Sequence, residues 1–430
     1  MKANSQTNFK NYEKLLFPML VVGIWLFQYL LPLSFLLIPA GDRHLVVNYF
    51  VHSDAAAIGA FLIGSFFILS LLAGYMSVVR ILPSVDFSKS MGERSFWPVW
   101  SVGSIGILVG VASLLFFIEI NYGVARAITF GGFRTAKIMG GTGWLFHLSW
   151  MTLASLALMS EMDYGKNRVR FMVFVAVALL VFTLASVLGG RLKASYFVIV
   201  PFLVWAVHNA SHLSIKRVVV IGFGLLMFLY VHAWVIAQYR AGFLTGVTTG
   251  VTTGVTTGVT TGVTTGVTYD GSGLIDYFGT LLFVELNKIL VLTSAIELGK
   301  AGALQGDSLY YLAFPLSMMV NFDGQIPGNY ITRMVVPGNY GFWGGLPGDL
   351  YLNIGLWGSL FSLMFGAGIG LVRFFFLGVV KSSSLWVVLM CATCVLVAFG
   401  LNRWPEWVMI GSFLFALKIL VFAVTKRGLT

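Results

Sequence analysis

The sequence predicts an all-α polytopic membrane protein of about ten, at most twelve, transmembrane helices, and three observations carry that prediction. Of the 430 residues 58% are hydrophobic, and the 10% that are charged fall well below the roughly 25% usual in soluble domains. Long apolar runs recur along the chain, with most of the charge in the intervals between them. The 37 Phe, 16 Tyr and 12 Trp supply the aromatic load that suits helix ends at the headgroup boundary. The net charge of +11 does not point to nucleic acid, because Lys and Arg never form a dense run. It is read instead as orientation and as affinity for anionic membrane lipid.

A bilayer core of about 30 Å needs about 20 apolar residues per helix. Runs of that kind fall at 15–39, 56–79, 97–120, 143–160, 171–189, 194–210, 218–237, 351–373, 385–401 and 407–425. The first follows Lys2, Lys10 and Lys14 and shows no short apolar core with a small-residue cleavage site, so it is expected to stay as a span. Lys and Arg of short loops are retained in the cytoplasm. With the N-terminus inside, Arg80, Lys89, Arg94, Lys166, Lys381 and Lys426 lie on the cytoplasmic side, and so do both termini. The chain then divides into a seven-helix N-terminal bundle (1–237), a large periplasmic loop region (238–350) and a three-helix C-terminal segment (351–430).

Two features mark the loop region. From Gly246 the motif Gly-Val-Thr-Thr runs five times and ends in Gly-Val-Thr-Tyr269, so the repeat occupies 246–268. A four-residue period fits no solenoid, its glycines disfavour helix, and it offers no charge or catalytic nucleophile. It is expected to be an extended, low-complexity insert. Residues 275–297 carry Asp276, Glu285 and Lys288, which make a poor lipid-facing helix, and Glu285 and Lys288 have ion-pair spacing. An amphipathic or re-entrant helix is preferred there; a pair of spans, with the second near 308–321, is the alternative that gives twelve.

Basic residues on the outer face run against the positive-inside bias. Arg126, Arg134 and Lys137 lie in the loop 121–142, Arg191 and Lys193 in a tight turn, Arg240 after the seventh span, Arg333 in the large loop and Arg403 in the last turn. Charge near a membrane is costly unless paired or used. A pyrophosphate would employ several of them, since the guanidinium fork matches phosphate oxygens. Arg134, Arg191, Arg240 and Arg333 are the candidates. For Arg126, Lys193 and Arg403 snorkelling is preferred, and Lys418 is expected to snorkel to the cytoplasmic side. Cys391 and Cys394 form a CxxC with no second pair or nearby His, so helix packing is expected. No metal or cofactor is expected, because carboxylates and His do not cluster on the outer side. Gly106 with Gly110, and Gly366 with Gly370, have the GxxxG spacing of close helix contacts, within the chain or in a dimer.

Three local patterns resemble the Wzy-type O-antigen and oligosaccharide repeat-unit polymerases. The turn Leu188-Gly189-Gly190-Arg191 is similar to the family's Gly-Ser-Arg type turn. The run Gly344 to Gly358 is similar to its entry into the helix after the large periplasmic loop. Arg333 followed after ten residues by Gly344 is similar to an Arg-x10-Gly pattern, present here once. The resemblance covers the layout and some 60 residues of local pattern. It implies a GT-C-like fold in the bacterial inner membrane and transfer of a growing glycan from one undecaprenyl-pyrophosphate-linked oligosaccharide to another, with a chain-length regulator protein as a further partner. For that reaction the arginines would hold the departing pyrophosphate, and Asp349 and Asp323 are candidate bases, with Glu285 and His44 behind them. Asp349 has a second role open to it, capping a helix that starts near Leu350. The rivals are an O-antigen ligase, which uses the same donor, and a flippase or transporter for the same lipid-linked unit.

Deleting two of the Gly-Val-Thr-Thr repeats is expected to leave activity intact in a complementation assay; abolished activity would assign the repeat a role.

Overall fold

The computed structural model describes residues 2–43, 45–82, 96–129, 143–162, 168–188, 191–208, 215–248, 287–306, 309, 327–336 and 344–427. Among the described residues there are sixteen α-helices and no strand. Six helical stretches are long and apolar enough to cross a membrane: Lys14–Leu37, Asp54–Ile81, Trp97–Asn121, Val169–Ser186, Gly345–Val379 and Trp404–Thr425. Four shorter apolar helices accompany them, at Gly143–Met159, Ala194–His208, Val220–Ile236 and Ser383–Phe399. The protein is therefore a polytopic, all-helical membrane protein among the described residues. Each of the ten apolar runs read from the sequence falls on one of these helices. Leu62, Phe66 and Leu69 stay exposed on the second of them, as suits a face turned to lipid tails rather than water.

Helix α3 (Asp54–Ile81) is the reference axis. Ser53 caps it by accepting the Ala56 N–H, and the Glu297 carboxylate accepts the N–H groups of His52 and Ser53 at 3.0 and 2.7 Å. An anion at a helix start and Arg80 in its last turn both match the helix dipole. At the same start Arg43 is buried. Its guanidinium grips Asp54 at 2.7 and 3.2 Å, donates to the Ile38 carbonyl at 2.9 Å and lies over the Phe35 ring, fixing the connection from the first span.

Helix α14 (Gly358–Phe374) runs alongside α3 in the same direction. A Cβ on Gly366 would meet the Leu71 carbonyl, and one on Gly74 the Leu363 carbonyl, so only glycine permits this backbone approach. Gly106 and Gly110 of α4 (Phe96–Asn121) likewise meet Ser155 and Thr152 of α7 (Met151–Met159). Three of the four GxxxG glycines thus press on backbone or short polar side chains of another helix of this chain, and Gly370 lies against Val78 of α3.

Two short helices sit inside the bundle. Helix α11 (Ile289–Glu297) has nine residues, hence a length of about 13 Å, under half of a bilayer core. It is buried from Ile289 to Ala295. Glu297 lies at the start of α3, whereas Lys288, just before the other end, donates its N–H to the Gln28 carbonyl within the first span. Helix α13 (Gly345–Ile354) is buried from Gly345 to Asn353 and leads through a single 3-10 turn into α14. Its last turn accepts backbone N–H groups of Gly302 and Leu304, both at 2.9 Å.

Helix α15 (Ser383–Phe399) is buried along nearly its whole length, packed by the first span, α9 (Arg191–His208), α13 and α16 (Trp404–Arg427). Cys391 and Cys394 are free thiols within it. Its first turn is held by Glu161. One carboxylate oxygen accepts the Ser384 N–H at 2.7 Å and the Ser382 and Ser383 hydroxyls at 3.2 Å each, and the other accepts the Lys418 ammonium at 2.5 Å. Lys418 therefore turns inward to an ion pair rather than snorkelling, because a fixed carboxylate lies closer than the headgroups.

Removing one partner of a buried ion pair strands the other charge. Glu161→Ala is expected to lower stability by about 3–5 kcal/mol, read as the thermal midpoint of the purified protein in detergent, and Glu161→Ala with Lys418→Met to recover part of the loss. An unchanged midpoint in the single variant would refute the staple.

Candidate functional site

Of the residues singled out in the sequence, Asp349 is brought into a built environment. It is the fifth residue of α13, not a cap before it, and is 3% exposed. Its Oδ2 accepts the Leu401 N–H at 2.7 Å, so the carboxylate caps a turn 52 residues further on. The residue before that turn, Gly400, has φ +90°, and a Cβ there would occupy the place of the carboxylate. The Asn353 amide donates to the Asp349 carbonyl at 2.6 Å, which leaves the carboxylate itself with the Leu401 bond as its one hydrogen bond among the described residues. It retains acceptor capacity, as a general base requires.

Two further buried groups converge there. Lys288 is 2% exposed; its ammonium stands 5.1 Å from the centre of the Phe399 ring, two residues before Leu401, and acts electrostatically on Asp349. Tyr29, from the first span, is fully buried, with its hydroxyl 3.5 Å from the Gly344 carbonyl and within electrostatic reach of Asp349. An anion and a cation from two distant parts of the chain thus meet the short segment Phe399 to Leu401, with a phenol from a third within electrostatic reach of the anion.

The same turn carries a second charged pair. Arg403 pairs with Glu406 at 3.2 Å, with the side chains 24% and 15% exposed. Tyr196 of α9 is buried close to both and packs on Trp407, ring centres 5.0 Å apart. Arg191 is the first residue of α9, five before Tyr196, so the helix start it heads lies at the same end of the bundle as Arg403. The ion pair with Glu406 replaces the snorkelling expected of Arg403.

Arg333 is exposed in α12 (Pro327–Val335), a helix that packs on both α11 and α13. Arg240 lies in α10 (Ile215–Thr248), which continues as helix through residues 246–248, the first three of the repeat. Arg134, Asp323, Glu285 and His44 lie outside the described residues, as do 249–268 of the repeat and 275–286 of the segment before α11. In the sequence Lys288 stands out as a charge unsuited to lipid and as an ion-pair partner for Glu285, not as a site residue. The signal that marks it is positional: Asn287 and Lys288 stand directly before the unbroken run from Ile289 to Leu292, where a cation must be buried if the run is. Arg43 and Glu161 carry no comparable local signal.

Gly400→Ala is expected to destabilise the protein by about 1–3 kcal/mol from backbone strain alone and to displace the Asp349 carboxylate from Leu401. The thermal midpoint in detergent checks this; an unaltered midpoint would mean that the turn tolerates a side chain. No family model, curated protein or solved structure matches the chain.

Proposed function

We propose that the protein is a polymerase of undecaprenyl-pyrophosphate-linked oligosaccharide repeat units, of O-antigen or capsule type. In this reading it is a metal-independent glycosyltransferase of the bacterial inner membrane. About ten spans in a GT-C-like layout would put both termini in the cytoplasm and the transfer at the periplasmic face. The observation that carries the reading is the buried Asp349, set within the run Gly344 to Gly358 that resembles the family and left with acceptor capacity beside a cation.

In the step proposed, Asp349 accepts the proton of an acceptor-sugar hydroxyl. That oxygen forms the new bond to the anomeric carbon of the donor glycan, the bond from that carbon to the pyrophosphate oxygen breaks, and its electron pair leaves with the lipid pyrophosphate. The charge on the leaving group must be stabilised as it develops. Arg333, on a helix packed against α11 and α13, Arg191, at the head of α9, Arg134 and Arg240 are the candidates for that support, with Asp323 as the second candidate base. The ten apolar helices support the span count, and the short buried α11 supports a re-entrant segment rather than an added span. Membrane lipid, the lipid-linked unit and a chain-length regulator are the partners of this reading.

The test is the surface-polysaccharide ladder of a deletion strain complemented with wild type, Asp349→Asn or Arg333→Ala at matched membrane levels. Wild type is expected to restore long chains. Asp349→Asn keeps an acceptor for Leu401 but loses the base, so polymer should fall by roughly 100-fold or more, leaving single-unit product. Arg333→Ala should shorten the chains. Loss of all units on deletion would point to the ligase instead, and an unaffected ladder would remove both enzymes from consideration.

A further inference from the structure

We propose that Lys288 is the positioning residue for Asp349, and that the two, held on either side of the Phe399 to Leu401 segment, work as one charge pair in the transfer step. The inference rests on the polymerase reading and adds a residue to it.

Helix stability does not explain this lysine. Lys288 makes no side-chain cap for α11, and the first N–H of the helix, that of Ile289, is already taken by the Asn287 side-chain oxygen at 3.1 Å. A cation at a helix start opposes the helix dipole. Nor does the side chain take the usual route of a membrane lysine, which reaches along its stem to water. It is turned into the bundle and is 2% exposed, with its backbone N–H fixed to the Gln28 carbonyl at 3.2 Å.

Its direction is set by what it meets. The ammonium stands over the Phe399 face, and the Asp349 carboxylate takes the N–H of Leu401. Gly400 between them carries no side chain, and a Cβ there would fall on the carboxylate. Three consecutive residues therefore hold a cation at one end and an anion at the other. Buried ionisable groups inside a membrane protein are costly and are kept where they are used.

The comparison with Glu161 separates holding from working. Glu161 accepts from four donors, so its carboxylate is saturated and serves as a staple. Asp349 accepts one hydrogen bond among the described residues, and Lys288 compensates its charge without blocking its oxygens by a contact of that kind. The cation can thus keep the carboxylate buried and aimed while an acceptor hydroxyl approaches.

The experiment compares polymer formed per folded protein in the complemented deletion strain for Lys288→Met, Lys288→Arg and wild type, with thermal midpoints of the purified variants. Lys288→Met is expected to lose at least tenfold of the polymer per folded protein, and Lys288→Arg to retain it within about threefold. A folded Lys288→Met with wild-type polymer, or a folded Lys288→Arg as inactive as Lys288→Met, overturns the proposal. Should Lys288→Met fail to fold, Lys288→Met with Asp349→Asn decides. A pair predicts that the double variant has the higher midpoint, and an equal or lower one overturns it. If wild type restores no ladder, the polymerase reading itself has failed and the proposal falls with it; with a wild-type ladder, the outcomes above bear on Lys288 alone.

Discussion

A carboxylate buried among helices in a bilayer has no water to turn to, and two such carboxylates fix the two ends of one helix in this protein. Glu161 holds the first turn of α15 and Asp349 takes the backbone donor just past its last turn. Because α15 is packed on nearly every side, its placement sets that of α9, α13 and α16 around it. The chemistry of the two ends differs. At one, three donors from the helix start and the Lys418 ammonium occupy the carboxylate. At the other, a single hydrogen bond and a more distant lysine leave it able to accept a proton.

Close approach of backbones makes that arrangement possible. Without a hydrophobic force between helices in lipid, association depends on packing and hydrogen bonds. Gly74 and Gly366 bring α3 and α14 together, and Gly106 and Gly110 let α4 close on α7, which Glu161 follows by two residues. The two short helices α11 and α13 fill the interior next to α3; Lys288 directly precedes the first and Asp349 lies in the middle of the second. A short helix reaching partway into a bundle is tolerated because it is enclosed by protein rather than lipid.

The positions of the apolar helices were legible because each is written in one continuous run, from 56–79 inside Asp54–Ile81 to 407–425 inside Trp404–Thr425. Asp349 was legible as a candidate because it is one of the few carboxylates of the late loop region, where the implied reaction needs a base. Its actual partner was not: Leu401 is 52 residues away, and a backbone N–H leaves no mark in a sequence. Lys418 shows the same limit. Its place in an apolar run suggested snorkelling, whereas its partner Glu161 lies 257 residues earlier, and only the fold brings them together. Arg403 paired within its own turn, three residues from Glu406, and there the spacing was available to be read. Arg333 and Arg191 were legible only as outer-face arginines; that their helices pack as α12 against α11 and α13, and α9 against α15, could not be read from the sequence.

The most direct measurement is mass spectrometry of the lipid-linked products formed when the purified protein is placed in vesicles with undecaprenyl-pyrophosphate-linked repeat units alone. A polymerase yields chains of two and more units, with one undecaprenyl pyrophosphate released for each bond made and no added metal required. Vesicles in which only the single-unit lipid is recovered, with protein shown to be folded, would contradict it.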